Sequence, residues 1–339
     1  MENVREAVVY GVRPVHLFRD AAERYIYENQ HIQKIKDFTT FLINIDAFIG
    51  ELDVKEINNH TIQPWIKHRK KTGVKNRTIN HELKCVTRIL NLCANEWFDN
   101  TGLSWLLHAP KIKLLQTNDS EQREPLTWEH QDKWLPAMAS PFDSISLFAI
   151  NTGAREQEIA SLQCDWYQQI ETDSGIVPVF VIPAKARQEI YIKTQNGKAI
   201  AESRTFNIVK SKRQRVLVLN DVADNIARQF MDCRYVFANK YGYRYLKLHT
   251  NTFKAAKQKI NERLGTSYCF HTFRHTFQHR LRAKGVDEST VSDLVDHATK
   301  TMTHHYSAPD LERLHVAVQK ITERKNTVLL SRVGKLRAV

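Results

Sequence analysis

The chain has 339 residues, with 50 Lys and Arg against 37 Asp and Glu, a formal net charge of +13. An apolar content of 42% supplies real cores and excludes a disordered chain. No apolar run reaches the ~18 residues of a membrane span, and the positive balance favours a polyanionic partner, nucleic acid ahead of an anionic membrane surface.

The opening residues, MENVREAVVYGVRP, are charged and hold no signal-peptide core, so a cytoplasmic location is expected. The five cysteines (85, 93, 164, 233 and 269) form no C-x-x-C pair, which argues against a disulfide framework or a cysteine-rich zinc module. Most are expected as small buried hydrophobes. The length is a soft prior for two domains.

Residues 1–16 are expected as an N-terminal extension, with a first helix over 17-LFRDAAERYIYEN-29 and a helical domain over 17–110. Within 78–97, Ile79, Leu83, Val86, Leu90, Cys93 and Trp97 recur at spacings of three and four and line one helix face. Lys84 and Arg88 fall away from that stripe. Upstream, 67-KHRKKTGVKNR-77 contributes Lys67, Arg69, Lys70, Lys71, Lys75 and Arg77 around a glycine turn. Two readings fit this run. Charge runs are usually solvated faces, and long cations beside a helix start also suit a sugar-phosphate rail. The segment 111-KIKLLQTNDSEQRE-124 turns from apolar to polar before Pro125 and reads as a linker.

Beyond it, residues 125–325 mix helices and strands. Leu147, Phe148 and Ile150 belong to a helix closing at Gly153, and a short helix follows from about Arg155 to Leu162. The β-branched runs 176–184, 204–209 and 215–219 read as strands, the last two flanking the basic turn 210-KSKRQR-215. Helices resume near Asp221, over 249–265, over a segment ending at Gly285, from Asp287 to about Asp296, and after Pro309.

His271 and His275, four apart, have a spacing that suits zinc. The metalloprotease pattern, however, needs Glu after the first histidine, where this chain has Thr272, and no third ligand stands nearby. A half-buried helix position is the favoured reading of His275, and no metal or cofactor is expected.

Four separated pieces take meaning together: 151-NTGAREQEI-159, Lys210 in its turn, 271-HTFR-274, and 294-LVDH-297 followed by Tyr306. Over about residues 125–320 they resemble the catalytic domain of the tyrosine recombinases, phage-type integrases in particular. The resemblance implies a mainly α fold with a small β-sheet: an all-helical, SAM-like core-binding domain plus an α+β catalytic domain. It implies catalytic roles for Arg155, Lys210, His271, Arg274, His297 and Tyr306, with Glu158 in support. Two guanidiniums clamp the non-bridging oxygens of a phosphodiester, a bidentate task for which arginine is built. On that resemblance Tyr306 would be the nucleophile, forming a 3′-phosphotyrosyl bond, with His271 as general base or proton acceptor and His297 as a hydrogen-bond donor to phosphate. Lys210, expected at a flexible hairpin tip, would be the general acid for the leaving 5′-oxygen, with Lys212 as its alternate. Lys67, Arg69, Lys70, Lys71, Lys75, Arg77, Lys84 and Arg88 become DNA contacts. His304 and His305 read as solvent-facing neighbours or DNA contacts rather than catalysts.

The implied partners are duplex DNA, three further copies of the chain in a tetramer, and accessory DNA-bending proteins. Residues 326–339, apolar and basic, read as a frayed terminus or as a segment that docks on a neighbouring protomer. Asp296 stands where the family usually has glycine. Its carboxylate either raises the basicity of His297 or lies on the outer side of its helix. Only about fifteen residues precede the first helix, so either the protein lacks the small arm-binding domain of many phage integrases or the sequence is a shorter form. Integration of a mobile element is the favoured biology. A Xer-like chromosome-dimer resolvase and a DNA-binding regulator without catalysis are the alternatives.

Overall fold

The computed structural model describes residues 13–32, 35–119, 124–193, 199–296 and 310–324. The chain divides into two units, Met1–Gln122 and Arg123–Val339. No helix among the described residues is long and apolar enough to cross a membrane.

The first unit is helical: α1 (Phe18–Glu28), α2 (Ile35–Ile49), α3 (Gln63–Lys71) and α4 (Asn76–Asn95), with a 3-10 turn at Val54–Glu56. The stripe on α4 buries Ile79, Leu83, Val86, Leu90 and Cys93 against Phe18, Tyr25, Ile45 and Trp65. Each such side chain adds about 1.5–3 kcal/mol when fully removed from water, the main force holding four short helices together. Residues 111–119, read from sequence as part of a linker, lie along this unit. Two asparagines act as surrogate strand partners for them. Asn80 Nδ2 donates to Leu115 O at 2.8 Å while Leu115 N donates to Asn80 Oδ1 at 2.7 Å. Asn59 does the same for Lys111 O and Lys113 N, at 2.9 and 2.7 Å.

The second unit orders α5 (Trp128–Trp134), α6 (Phe142–Thr152), α7 (Glu156–Ser161), β1 (Tyr167–Thr172), β2 (Gly175–Ile182), β3 (Lys185–Lys193), β4 (Ala199–Asn207), β5 (Arg215–Val218), α8 (Asp221–Gln229), α9 (Asn251–Leu264), α10 (Phe270–Ala283), α11 (Glu288–Leu294) and α12 (Leu311–Gln319). Helix α6 runs through the core, packed by α8 and α10. An antiparallel sheet in the order β1-β2-β5 separates two apolar clusters. Alternation along β2 sends Phe180 and Ile182 to the cluster around Phe148, and Val177 and Val179 to the one around Leu281 and Leu294.

The strands after β2 correct the sequence reading. The turn carrying Lys210 is not a hairpin tip, because the strands on either side of it do not pair. Strand β4 pairs with β3, a strand the sequence reading missed, over the register Lys185↔Asn207 to Lys193↔Ala199. Strand β5 instead pairs with β2, from Val179↔Val218 to Ile182↔Arg215. Strand β1 was also missed. A two-residue period shows that a segment is a strand but carries no information about which edge it joins.

Candidate active site

The local sequence T-G-x-R-x-x-E folds as two helix ends meeting. Gly153 closes α6 with φ 61°, a left-handed conformation that glycine adopts without penalty. Arg155 then precedes the first turn of α7, where its backbone N donates to Glu158 Oε2 at 2.7 Å, one half of a capping box. Glu158 is fully buried, and its Oε1 accepts from Arg155 Nη1 at 2.8 Å.

A second cation joins this pair. Arg215, at the start of β5, is 3% exposed, and its Nη1 forms an ion pair with Glu158 Oε2. The sequence reading passed over this residue. The signal was there: the alternation in 215-RVLVL-219 puts Arg215 on the inward face with Leu217, and an inward arginine needs a buried partner.

Arg274, on the second turn of α10, is 2% exposed. Its Nη1 donates to Gly153 O at 2.8 Å and its Nη2 to Val295 O. Burial, with the like charges of Arg215 and Arg155 added, pushes Arg274 down to about 9. Burial is also the first cause of a lowered pKa at Arg215.

Arg155 reaches the same segment. Its Nη2 donates to Asp296 O at 3.1 Å, and its Nη1 lies 3.4 Å from Asp296 Oδ2. Asp296 has φ 50°, so the position calls for the left-handed backbone that suits glycine and that Asp tolerates better than most residues. The glycine expected here from the family resemblance would take this backbone without strain, and the Asp296 carboxylate turns toward Arg155. Three guanidiniums therefore surround one fully buried carboxylate and one, Asp296, that is 28% exposed. The cluster keeps an excess positive charge. Arg155, with its side chain 23% exposed, is the most open of the three.

His271 sits on the first turn of α10, exposed, one turn before Arg274 on the same helix. Its ring packs edge-on to that of His275, centroids 4.6 Å apart. Lys210 is exposed on the connection from β4 to β5, between buried Val209 and buried Arg215, and Lys212 follows with φ 58°. His297, Tyr306, His304, His305 and the segment 326–339 lie outside the described residues.

In the first unit, Lys67, Lys70, Lys71, Lys75, Arg77, Lys84 and Arg88 are exposed. Arg69 departs from the expectation of a phosphate contact. Its guanidinium turns inward to Glu82, with Nε to Oε2 at 3.0 Å, and lies 5.2 Å from the centroid of the Trp65 ring. Glu82 is 2% exposed, and a buried carboxylate holds its counter-cation more firmly than solvent-exposed phosphate would.

Comparison with known proteins gives three findings. The model of the phage integrase family matches residues 137–313, just over half of the chain. Transposase B from transposon Tn554 of Staphylococcus aureus (strains Mu50 and N315) is 19% identical over 294 residues, 84% of this chain and 43% of the relative. The chain thus spans less than half the length of these curated relatives. Among solved structures, the Tn1549 transposon integrase in complex with circular intermediate DNA superposes with a TM-score of 0.60 at 14% identity, over 91% of this chain and 99% of the other. A lambda integrase tetramer bound to a Holliday junction gives 0.54 at 14% identity, over 88% and 82%. At such identities the likeness is one of fold.

Proposed function

The chain belongs to the phage integrase family, and on that premise we propose that it is a site-specific recombinase that breaks and rejoins duplex DNA through Tyr306. The observation that carries this reading is the convergence of Arg155 and Arg274, 119 residues apart in sequence, on adjacent carbonyls of one segment, Asp296 O and Val295 O. Two guanidiniums held together against an excess of positive charge suit a phosphodiester, whose non-bridging oxygens gain charge as it is attacked.

The Tyr306 phenol oxygen attacks phosphorus, and its proton passes to His271. The bond to the 5′-oxygen breaks, and Lys210 or Lys212 supplies the proton to that leaving group. His297 donates to a non-bridging oxygen. The phosphotyrosine conserves the energy of the broken linkage, so the 5′-hydroxyl of a second strand can reverse the step with no nucleotide cofactor. Recombination between two duplexes would engage four copies of the chain. Duplex binding would use Lys67, Lys70, Lys71, Lys75, Arg77, Lys84 and Arg88 on the first unit. Relatedness to a transposon-encoded transposase favours integration or excision of a mobile element over resolution of chromosome dimers.

The test uses nicked suicide duplexes drawn from the DNA flanking the gene, which trap a covalent protein–DNA adduct. Wild type is expected to give a denaturant-resistant adduct in the presence of EDTA, and Tyr306→Phe none. Binding without any adduct would point instead to a DNA-binding regulator.

A further inference from the structure

The C-terminal end of α11 is held in an unusual way. The last carbonyls of a helix have no intrahelical partner, and they carry the negative end of its dipole. Here three consecutive carbonyls are each taken by a different arginine. Leu294 O accepts from Arg215 Nη2 at 3.0 Å, Val295 O from Arg274 Nη2, and Asp296 O from Arg155 Nη2 at 3.1 Å. The next residue in the chain is His297.

Two of these arginines are assigned above to the phosphate. Arg215 is different. Buried like Arg274, it differs in having its charge taken up by a fully buried carboxylate, and its one guanidinium spans two elements: Nη1 on Glu158 of α7 and Nη2 on the end of α11. Its backbone begins β5, directly after the turn 210–214 that carries Lys210 and Lys212. Its Nε is buried with no partner among the described residues. Such a group is costly to desolvate, and an apolar residue opposite Ile182 would pack the sheet without that cost. The bond to Glu158 also acts at one remove, because Glu158 grips both the backbone and the guanidinium of Arg155.

We propose that Arg215 is a positioning residue of the recombination site. Its fork fixes the segment 294–296 in register with Arg155 and with the base of the lysine turn. This inference rests on the recombinase reading for its consequence, but the positioning itself does not depend on catalysis. A lysine at this position keeps the charge but ends in a single nitrogen, so it lacks the two rigid prongs that span Glu158 and Leu294.

The experiment compares full-length wild type with Arg215→Lys, and with Arg215→Gln in case the lysine variant does not fold. Hydrogen exchange is followed by mass spectrometry, alongside DNA affinity and single-turnover adduct formation on a nicked duplex. The expected result for R215K is exchange at least ~10-fold faster in the peptide spanning 290–296, with the peptide spanning 79–93 unchanged and DNA affinity within about twofold of wild type. Adduct formation should slow by ~10²-fold, the usual consequence of a misplacement near 1 Å. Wild-type exchange at 290–296, or an unslowed adduct rate, overturns the proposal. So does faster exchange throughout the second unit in both variants, which would mean a role in the fold alone. If wild type itself forms no adduct, the recombinase reading falls, while the exchange comparison still decides whether Arg215 holds the segment.

Discussion

Gly153 stands directly against the Phe277 ring: a β-carbon at this position would lie 2.4 Å from Phe277 Cδ1. Phe277 is fully buried in α10, and Gly153 O is a ligand of Arg274 on the same helix. The glycine thus serves a helix end, a close approach and the arginine site together. Gly153→Ala should cost about 1–2 kcal/mol for a left-handed backbone and roughly 1–3 more for overpacking. The measurement is urea unfolding of the full chain, and a midpoint equal to wild type would contradict this account.

Asp296 places a carboxylate beside Arg155, where on the recombinase reading an incoming phosphate would compete with it. Asn in its place keeps tolerance of the left-handed backbone and removes the charge. Because both side chains are partly exposed, the gain is small: up to about 1 kcal/mol, or fivefold, in DNA affinity at low salt. A fluorescence titration of Asp296→Asn against a short duplex reads this directly. Weaker binding would show that the carboxylate supports the site rather than competing in it.

Arg69 and Lys70 are neighbours on α3 with opposite expected behaviour. Arg69→Ala leaves the 2%-exposed Glu82 without its counter-charge, a loss of about 3 kcal/mol in unfolding free energy. Lys70 is exposed, so Lys70→Ala should stay within ~0.5 kcal/mol of wild type in stability. It should lower the slope of log affinity against log salt by about 1 if Lys70 meets a phosphate. An unchanged slope would remove Lys70 from the DNA surface.

Asp287 starts α11 by accepting from Thr290 N at 2.9 Å, with the hydroxyls of Ser289 and Thr290 also bound to it. These hydrogen bonds hold its carboxyl well below the usual carboxylate range. A depressed folded-state pKa contributes stability above the unfolded value, which is lost as pH falls through the folded one. Asp287→Ala should therefore cost about 0.5–2 kcal/mol at neutral pH. The gap to wild type should begin to close below about pH 4. Thermal unfolding from pH 7 to pH 2.5 checks it, and a gap that widened in acid would refute the assignment.

Much of the local structure was legible because its causes are local. The stripe Ile79 to Cys93 makes α4 amphipathic wherever the helix sits, and Gly153 ends α6 for reasons of φ alone. The spacing of Arg155 and Glu158 already contains a helix start. Less legible were the strands. Tyr167–Thr172 and Lys185–Lys193 are polar and half exposed, so neither shows an apolar run. The basic turn at 210–215 looked like a hairpin because its flanks are strands, yet β4 and β5 bond to different partners.

Residue types and their order carried the family resemblance and the chemistry proposed from it: arginines, histidines, a lysine and a tyrosine in an order that suits an anionic phosphodiester. What only the tertiary structure decided was which cations share one place and which are spent on the fold. Arg69 looks in the sequence like any other basic residue, and the strand period turns Arg215 inward without naming its partner; the fold gives each a buried carboxylate, Glu82 and Glu158, that takes up its charge. The physical reason is that helix and strand periods are written within a few residues, whereas desolvation and ion pairing depend on what distant segments bring alongside.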